Sequence, residues 1–282
     1  MKTKEELIQS LIDLALLEDV GDGDVTTLST IPENEKGRSK LLIKEKGVLS
    51  GVEAAKMVLH TIDPEIVITQ YIPDGSEVVP GDIVFIAEGK VRSLLIAERT
   101  LLNIMQRMSG VATLTRKYQE KLKGLHTKVL DTRKTTPGMR MLEKEAVKTG
   151  GGENHRIGLF DMILIKDNHI DFAGGIEKAV ERAKDFCKNM GKNLKIEVEA
   201  RNLDDVRKLT EMKDVDRIMF DNFTPELTKE AVKIVDGKKE TESSGGITID
   251  NLREYGETGV DYISVGAITH SVKGLDMSFK AF

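Results

Sequence analysis

The chain has 282 residues, which is enough for an α/β barrel with an extension or for two modest domains. Hydrophobic residues make up 39% of it and charged residues 32%, a composition typical of an ordinary globular protein and not of a disordered one. The net charge of -5 argues against a general nucleic-acid or membrane-surface binder, because no broad positive field is expected. Any site for an anion must therefore be local.

The N-terminal segment predicts an amphipathic helix, since Leu7, Ile8, Leu11 and Ile12 recur at helical spacing among acidic residues. It lacks the features of a signal peptide, and no stretch of the chain is apolar for long enough to cross a bilayer. The single cysteine, Cys187, cannot form an internal disulfide and is expected to be a buried, inert thiol on a helix. We therefore expect a cytoplasmic protein.

Two regions of different character follow the N-terminal helix. Residues 37–88 contain short β-like runs separated by the turn signals PDG and PGD, which predict a small sheet with a helix over it. Residues 91–123 predict a long helical region, in which Ser109 and Gly110 indicate a break.

After Gly124, short aliphatic strands alternate with helices at a spacing of about 20 to 30 residues, a rhythm that predicts parallel strands with crossover helices. An α/β barrel is the leading solution at this length. The ends of the predicted strands fall at Arg133, Lys166, Glu199, Asp221, Ser244 and Gly266. Because the carboxyl ends of parallel barrel strands open on one rim, where such folds carry out chemistry, these residues predict a single site.

Potential cations form the first part of that site: Arg133, Lys134, His155, Arg156 and Lys166. Arginine grips carboxylates or phosphates with a planar fork, whereas lysine supplies a point charge suited to phosphate. The glycine run at 150–152 would let backbone amides approach an oxyanion. Each residue alone could be a surface arginine, a capping histidine or a loop glycine, but together on one rim they predict an anion site.

Glu199 and Asp221 bring the opposite charge to the middle of the rim. Their oxygens suit Mg²⁺ or ribose hydroxyls, and they could offset positive charge that develops on a sugar carbon. The alternative is an internal salt bridge with Lys166 or Arg133. Both interpretations can hold in turn, with the ion pair present when the site is empty.

Small residues near the C-terminus predict a phosphate cradle, in SSGGI (243–247) and SVGAITH (264–270). Neither a P-loop nor a strand-borne GxGxxG appears, which excludes the two common nucleotide-binding motifs. The five histidines lack zinc-site spacing, and EDVGDGD is better interpreted as an acidic turn than as a calcium loop.

Several long blocks carry a resemblance to a known family: ERTLLNIMQRMSGVAT, DTRKTTPGMRMLEKEAVKTGGGENHR, ILIKDNH, EVE, DNF, SSGGIT and GVDYISVGAIT. The chain resembles the quinolinate phosphoribosyltransferases from EDVGDGDVTT to LDMSF. The resemblance implies an N-terminal open α/β sandwich over residues 1–110, joined by 272–282, followed by an incomplete (β/α) TIM-like barrel over residues 111–271. Glu145 stands where the family often has an aromatic residue, which concerns local packing and not the chemistry.

The resemblance implies phosphoribosyl transfer from 5-phosphoribosyl 1-diphosphate to quinolinate with Mg²⁺, giving nicotinate mononucleotide, diphosphate and CO₂ in NAD biosynthesis. Lys166, Glu199 and Asp221 would be catalytic, and the two carboxylates would also hold the metal, directly or through water. The residues implied to contact substrate are Arg99, Thr132, Arg133, Lys134, His155, Arg156, Lys166, Glu199, Asp221, Ser244, Gly245, Gly246, Ser264, Gly266 and Ala267. Because the family lends the arginine matched by Arg99 to a neighbouring subunit, a homodimer or higher homo-oligomer is expected, without a nucleic-acid or membrane partner.

The residues leave rival functions open. Lys166 could be a Schiff-base lysine of an aldolase-type barrel, since Arg133 and Arg156 supply the cationic neighbours that favour a neutral amine. The chain could also bind phosphate without catalysis, as a sensory protein. A further alternative is a related type II phosphoribosyltransferase encoded with molybdate transport genes, which acts on another substrate.

Overall fold

The computed structural model describes residues 2–282, so Met1, the first residue of the predicted N-terminal helix, lies outside the described residues. The chain divides into two compact units. Unit 1 runs to Arg116 and includes Thr135–Gly151 and Ile268–Phe282, whereas unit 2 comprises Lys117–Lys134 and Gly152–Ala267. The predicted domain border between residues 110 and 111 differs from this division and stays a prediction.

Helices and strands alternate through most of the described chain. The helices are α1 (Lys4–Val20), α2 (Val25–Thr30), α3 (Val52–Ile62), α4 (Val91–Lys121), α5 (Arg140–Thr149), α6 (Asp167–Ala173), α7 (Ile176–Asn189), α8 (Leu203–Glu211), α9 (Pro225–Val235), α10 (Leu252–Gly256) and α11 (Ala267–His270). The strands are β1 (Lys36–Ile43), β2 (Gly47–Val48), β3 (Val67–Gln70), β4 (Glu77–Val78), β5 (Ile83–Lys90), β6 (Lys128–Leu130), β7 (Ile163–Ile165), β8 (Ile196–Ala200), β9 (Arg217–Asp221), β10 (Glu240–Ser244), β11 (Tyr262–Ser264) and β12 (Met277–Ala281).

Unit 1 is built on an antiparallel sheet of order β12-β1-β5-β3, with a small β2-β4 pair beside it. Its core includes Leu41, Phe85 and Phe279, and the two phenylalanine rings lie 6.1 Å apart between centroids. Helix α1 begins with a capping box, in which the side chains of Thr3 and Glu6 each accept the other's backbone N–H and so satisfy two donors at the helix start.

Helix α4 continues through Ser109 and Gly110, so the predicted break is wrong. A Cβ on Gly110 would collide with the carbonyl oxygen of Lys273. The glycine therefore allows close packing of backbone against the helix, a reason for glycine that a single sequence does not distinguish from a helix end.

Unit 2 contains a six-stranded sheet of order β6-β11-β10-β9-β8-β7, in which every pair of neighbours is parallel. Strands β6 and β7 are consecutive in sequence but form opposite edges of this sheet, so the barrel does not close between them. The predicted fold class, a sheet domain followed by an incomplete TIM-like barrel, is confirmed.

Two further expectations from the sequence concern Cys187 and membrane-spanning helices. Cys187 lies on α7 as predicted, but it is partly buried, because the exposed face of this amphipathic helix begins beside it. Among residues 2–282, no helix is both long and apolar enough to traverse a lipid bilayer.

Candidate active site

The carboxyl edge of the unit 2 sheet holds most of the residues expected at the rim. Thr132, Arg133 and Lys134 follow β6 after the buried Asp131, and Lys166 directly follows β7. Glu199, Asp221, Ser244 and Ser264 lie at or near the ends of β8, β9, β10 and β11. Arg99 is an exposed residue of α4 in unit 1.

Lys166 and Glu199 form the ion pair that the sequence left open. Their Nζ and Oε1 atoms lie 2.7 Å apart, with the lysine side chain 49% exposed and the glutamate side chain 5% exposed. The second carboxylate oxygen of Glu199 accepts the backbone N–H of Asp167 at 3.1 Å. A half-exposed amine paired with a carboxylate is not desolvated, which is the opposite of what a Schiff-base lysine requires.

Asp221 lies beside this pair and carries an unfavourable charge. Partial burial, followed by the negative charge of Glu199, raises the pKa of the Asp221 carboxyl, while a hydrogen bond from the Asn222 amide partly opposes the shift. A divalent cation would relieve this repulsion, and carboxylate oxygens are the ligands that Mg²⁺ prefers. The donor set at Glu199 and Asp221 therefore fits Mg²⁺.

The cationic side of the rim is concentrated around Arg156. Partial burial, followed by the positive charge of Arg133, lowers the pKa of the Arg156 guanidinium, although arginine stays charged. Arg133 and Lys134 are exposed. The two guanidinium groups repel each other, and an exposed lysine lies next to one of them. A bound dianion would relieve this repulsion, so this part of the rim favours a doubly charged anion.

A glycine turn follows β10 at the same edge. Gly245 and Gly246 have φ angles of +98° and +62°, and a Cβ on Gly245 would collide with the Asn222 side chain. The N–H of Asn222 donates to the Ser244 carbonyl at 2.8 Å, which ties the end of β9 to this turn. Gly266 and Ala267 follow β11, where Ala267 begins α11. Backbone without side-chain bulk at neighbouring strand ends is what a phosphate cradle requires.

Four buried residues form a group that we call the interior cluster: His155, Glu197, Arg217 and Glu242. The sequence predicted His155 as a rim residue but did not reveal its three partners. His155 Nε2 lies 2.9 Å from Glu197 Oε2 and 3.5 Å from Glu242 Oε2. Arg217 Nη1 donates to Glu242 Oε2 at 2.9 Å. Both glutamates have no exposed surface, and burial raises the pKa of each carboxyl. His155 is thus placed inside unit 2, beneath the rim.

Ser264 also points to the interior, because its buried hydroxyl donates to Glu242. The two-residue period of β-strands is the sequence feature that could have predicted this cluster. Glu197 precedes Glu199 by two residues and Glu242 precedes Ser244 by two, so each lies on the same face as a rim residue, one layer deeper.

Two groups of side chains lie close enough together to hold a cation: the interior cluster, and the pair Glu199 and Asp221. His155, Glu197 and Glu242 offer ligand atoms that all lie within 4.8 Å of one another. However, Arg217 already binds the Glu242 oxygen that faces His155, and a guanidinium repels a metal ion. The interior cluster is therefore better described as hydrogen-bonded, which leaves Glu199 and Asp221 as the better cation site.

Comparison with known proteins identifies relatives over the whole length. The family model described as "Quinolinate phosphoribosyl transferase, N-terminal domain" matches residues 24–109, and the corresponding C-terminal domain model matches residues 111–280. A chloroplastic nicotinate-nucleotide pyrophosphorylase [carboxylating] of Oryza sativa subsp. japonica is 44% identical over 97% of this chain and 77% of its own. A probable nicotinate-nucleotide pyrophosphorylase [carboxylating] of Bacillus subtilis is 40% identical over 96% of this chain and 92% of its own.

A solved structure supports the same relationship. The nicotinate-nucleotide pyrophosphorylase of Francisella tularensis superposes with a TM-score of 0.92 at 41% identity, covering 100% of this chain and 98% of that one. Two family models that together match nearly the whole chain, and relatives of this identity and coverage, show that the chain belongs to the quinolinate phosphoribosyltransferase family.

Proposed function

We propose that this chain transfers the phosphoribosyl group of 5-phosphoribosyl 1-diphosphate to quinolinate and releases CO₂, giving nicotinate mononucleotide and diphosphate for NAD synthesis. The observation that carries the proposal is the division of charge along one sheet edge. Glu199, Asp221 and the bare glycine turn at Gly245 lie at the ends of the neighbouring strands β8, β9 and β10. Arg156 precedes β7 and lies close enough to Arg133, after β6, for their positive charges to interact. Membership of the family supports it.

The cationic side is suited to quinolinate, a pyridine with two adjacent carboxylates. Arg133, Arg156 and Lys166 would hold these carboxylates, with Lys134 beside the diphosphate. Two guanidinium forks and two ammonium groups match the charge of both substrates. The ion pair between Lys166 and Glu199 would open as substrate arrives, because quinolinate offers the lysine a new anion.

The acidic side is suited to the sugar. As the bond from the anomeric carbon to diphosphate breaks, positive charge develops on the ribose, and Glu199 or Asp221 can face it. The pyridine nitrogen then bonds to that carbon and becomes cationic. The cationic nitrogen stabilises the electron pair that stays on the adjacent ring carbon when the carboxylate departs as CO₂. That carbon then takes a proton from solvent, so the decarboxylation does not require a dedicated base.

The glycine turns would bind the 5-phosphate. The ends of β10 and β11 would present backbone amides with little side-chain bulk. The residues concerned are Ser244, Gly245 and Gly246 at the end of β10, and Ser264, Gly266 and Ala267 at the end of β11. Thr132 would add a contact at the end of β6. Mg²⁺ held by Glu199 and Asp221, directly or through water, would neutralise charge on the diphosphate and assist its departure.

We also infer a homodimer or higher homo-oligomer in which Arg99 completes the site of a neighbouring subunit. Arg99 is exposed and lines a groove in unit 1 with Leu11, Ala15 and Met139. Helix α1, which contributes Leu11 and Ala15 to this groove, also carries Leu14 and Leu17, whose side chains are 61% and 70% exposed. Exposed apolar side chains of this kind are typical of a surface that a partner covers.

The proposed compartment is the cytoplasm, which suits a lone cysteine with no possible internal disulfide.

The experiment that tests the function measures CO₂ release and nicotinate mononucleotide formation by the purified protein. Quinolinate, phosphoribosyl diphosphate and Mg²⁺ are supplied, with nicotinate as a parallel acceptor and borohydride trapping as a check for a Schiff base. Product from quinolinate but not from nicotinate is expected, because the second carboxylate engages the additional cations. Product from neither acceptor would contradict the proposal, and would leave a phosphate-binding barrel that acts on another heterocycle.

A further inference from the structure

His155 is enclosed in the interior of unit 2 and held from several sides. Its side chain is only 7% exposed, and its backbone N–H donates to Asp131 Oδ1 at 2.9 Å. Asp131 is itself fully buried at the end of β6. Since both the ring and the backbone of His155 are held by buried groups, its orientation is fixed before any substrate arrives.

The contact at Nδ1 determines which ring nitrogen carries the proton. The backbone N–H of Arg156 donates to His155 Nδ1 at 2.8 Å. A nitrogen that accepts a hydrogen bond has its lone pair in the ring plane and no proton there. The proton of a neutral His155 therefore lies on Nε2, and Nδ1 acts as an acceptor for the main chain of Arg156.

Nε2 faces the two interior carboxyls. It lies 2.9 Å from Glu197 Oε2, in a contact bent away from an ideal hydrogen bond, and 3.5 Å from Glu242 Oε2. A carboxyl group offers an acceptor oxygen whether it is ionised or protonated, so this face favours an Nε2–H ring in either state. The carboxyls and the Arg156 N–H thus select the same tautomer from opposite sides of the ring.

The carboxyls are themselves fixed by neighbouring strands. Arg217 donates to Glu242 and also to Glu240 Oε2, at 2.9 Å and 3.0 Å from Nη2 and Nε, and its guanidinium lies 4.1 Å from the centroid of the Tyr262 ring. Glu197 lies close to Glu242, and its negative charge helps to raise the pKa of the Glu242 carboxyl. The hydrogen bonds from Arg217 and Ser264 hold the Glu242 carboxyl in place against the His155 ring.

We infer that Glu197, Glu242 and Arg217 are positioning residues for quinolinate, acting through His155. They hold the imidazole as the Nε2–H tautomer, so that Nδ1 fixes the backbone of Arg156 and thereby aims its guanidinium at a substrate carboxylate. This inference rests on the proposed function. It gives His155 a supporting role toward Arg156.

The tautomer can be measured in the wild-type protein. Two-bond proton–nitrogen NMR spectra of protein labelled at histidine distinguish Nε2–H, Nδ1–H and imidazolium rings, and the chain has only five histidines. His155→Asn identifies the signal by its disappearance. An Nε2–H pattern for His155 at neutral pH is expected, whereas an Nδ1–H ring or an imidazolium would overturn the inference.

Two substitutions of His155 separate support from direct contact. The Asn oxygen occupies roughly the place of Nδ1 and can still accept the Arg156 N–H, whereas the Gln amide occupies roughly the place of Nε2 and cannot. We therefore expect His155→Asn to bind quinolinate more tightly than His155→Gln, by roughly tenfold, with similar affinities for phosphoribosyl diphosphate. The reverse order would show that Nε2 itself binds substrate.

Glu197 provides the second test, with Glu240 as its matched control. Glu197→Leu removes the acceptor and is expected to raise the quinolinate Kd on the order of 10- to 100-fold, while Glu197→Gln keeps an acceptor oxygen and restores most of the affinity. Glu240→Leu removes another carboxylate from Arg217 and should change that Kd less than about twofold, because Arg217 keeps its hydrogen bond from Nη1 to Glu242 and the Glu240 side chain is partly exposed. Equal losses in Glu197→Leu and Glu240→Leu would overturn the inference.

The wild type distinguishes failure of the inference from failure of the function. Wild-type protein that binds quinolinate but carries an Nδ1–H His155 would refute the positioning role alone. Wild-type protein with an Nε2–H ring that binds phosphoribosyl diphosphate but not quinolinate would refute the proposed substrate, and the positioning role with it.

Discussion

At the scale of single residues, the Lys166–Glu199 pair joins an exposed cation to a buried anion. An exposed ion pair contributes little to stability, since solvent screens it. Glu199 is nevertheless held by Lys166 on one oxygen and by a backbone N–H on the other. This arrangement gives both oxygens of a buried carboxylate a donor while leaving its lysine accessible to an incoming anion.

We expect Lys166→Ala to lose most of its turnover and to stay folded. The change leaves one Glu199 oxygen without its donor, which costs roughly 1–3 kcal/mol of unfolding free energy, less than the stability of a typical domain. Lys184→Ala is the matched control, because Lys184 pairs with Asp214 at 2.8 Å on the outer surface. Product formation and circular dichroism check both variants, and wild-type turnover in Lys166→Ala would contradict the rim assignment.

At the scale of elements, the strand ends of unit 2 decide which residues reach the rim. Gly245 is the most constrained of these positions, because it has a left-handed φ and lies against the Asn222 side chain. A methyl group there would move the turn that follows β10. The same turn would receive the 5-phosphate in the proposed reaction.

We expect Gly245→Ala to raise the KM for phosphoribosyl diphosphate by roughly tenfold or more, with a smaller effect on the KM for quinolinate. Gly191→Ala is the control, since Gly191 also has a positive φ of +61° but lies between α7 and β8 with nothing near the added methyl. Both changes place an L residue at a positive φ, which costs roughly 1–2 kcal/mol in the left-handed region and more at the +98° of Gly245, and only Gly245→Ala adds a collision with Asn222. Unchanged phosphoribosyl diphosphate kinetics in Gly245→Ala would remove this turn from the phosphate site.

The sequence was sufficient to predict the parallel sheet and the residues at its carboxyl edge, because the alternation of strands and helices determines which ends meet. It did not reveal the interior cluster. Glu197 and Glu242 lie two residues before the rim residues Glu199 and Ser244, and a charged residue inside a strand does not by itself indicate which partners meet it in the interior. The wrong helix break at Gly110 has a similar origin, since tertiary packing against Lys273 decides the role of that glycine.

At the scale of the whole molecule, the buried charges make stability depend on pH. Burial, and then the negative charge of Glu197, raises the pKa of the Glu242 carboxyl well above its ordinary value. The folded protein therefore binds this proton more tightly than the unfolded chain does. The resulting stabilisation is complete below the unfolded pKa and is lost as pH rises through the folded pKa.

We expect Glu242→Gln to flatten the decline of unfolding free energy with rising pH, because the amide does not titrate. Denaturant unfolding from mildly acidic to mildly alkaline pH measures the slopes of both proteins. Glu211→Gln is the control, as Glu211 is exposed and pairs with Lys238 at the surface. Parallel curves for the wild type and Glu242→Gln would show that Glu242 does not bind the extra proton.

The proposed sharing of Arg99 between subunits predicts complementation in mixed dimers. Arg99→Ala and Lys166→Ala should each be nearly inactive alone, yet a hybrid dimer would contain one site with both residues intact. Random exchange makes about half of the dimers hybrid, so about a quarter of wild-type activity should return. Lys166→Ala mixed with Glu199→Gln is the control and should recover nothing, since both changes lie in the same unit and each hybrid site keeps one of them. Proven subunit exchange without recovery in the first mixture would mean that Arg99 acts within its own chain or not at all.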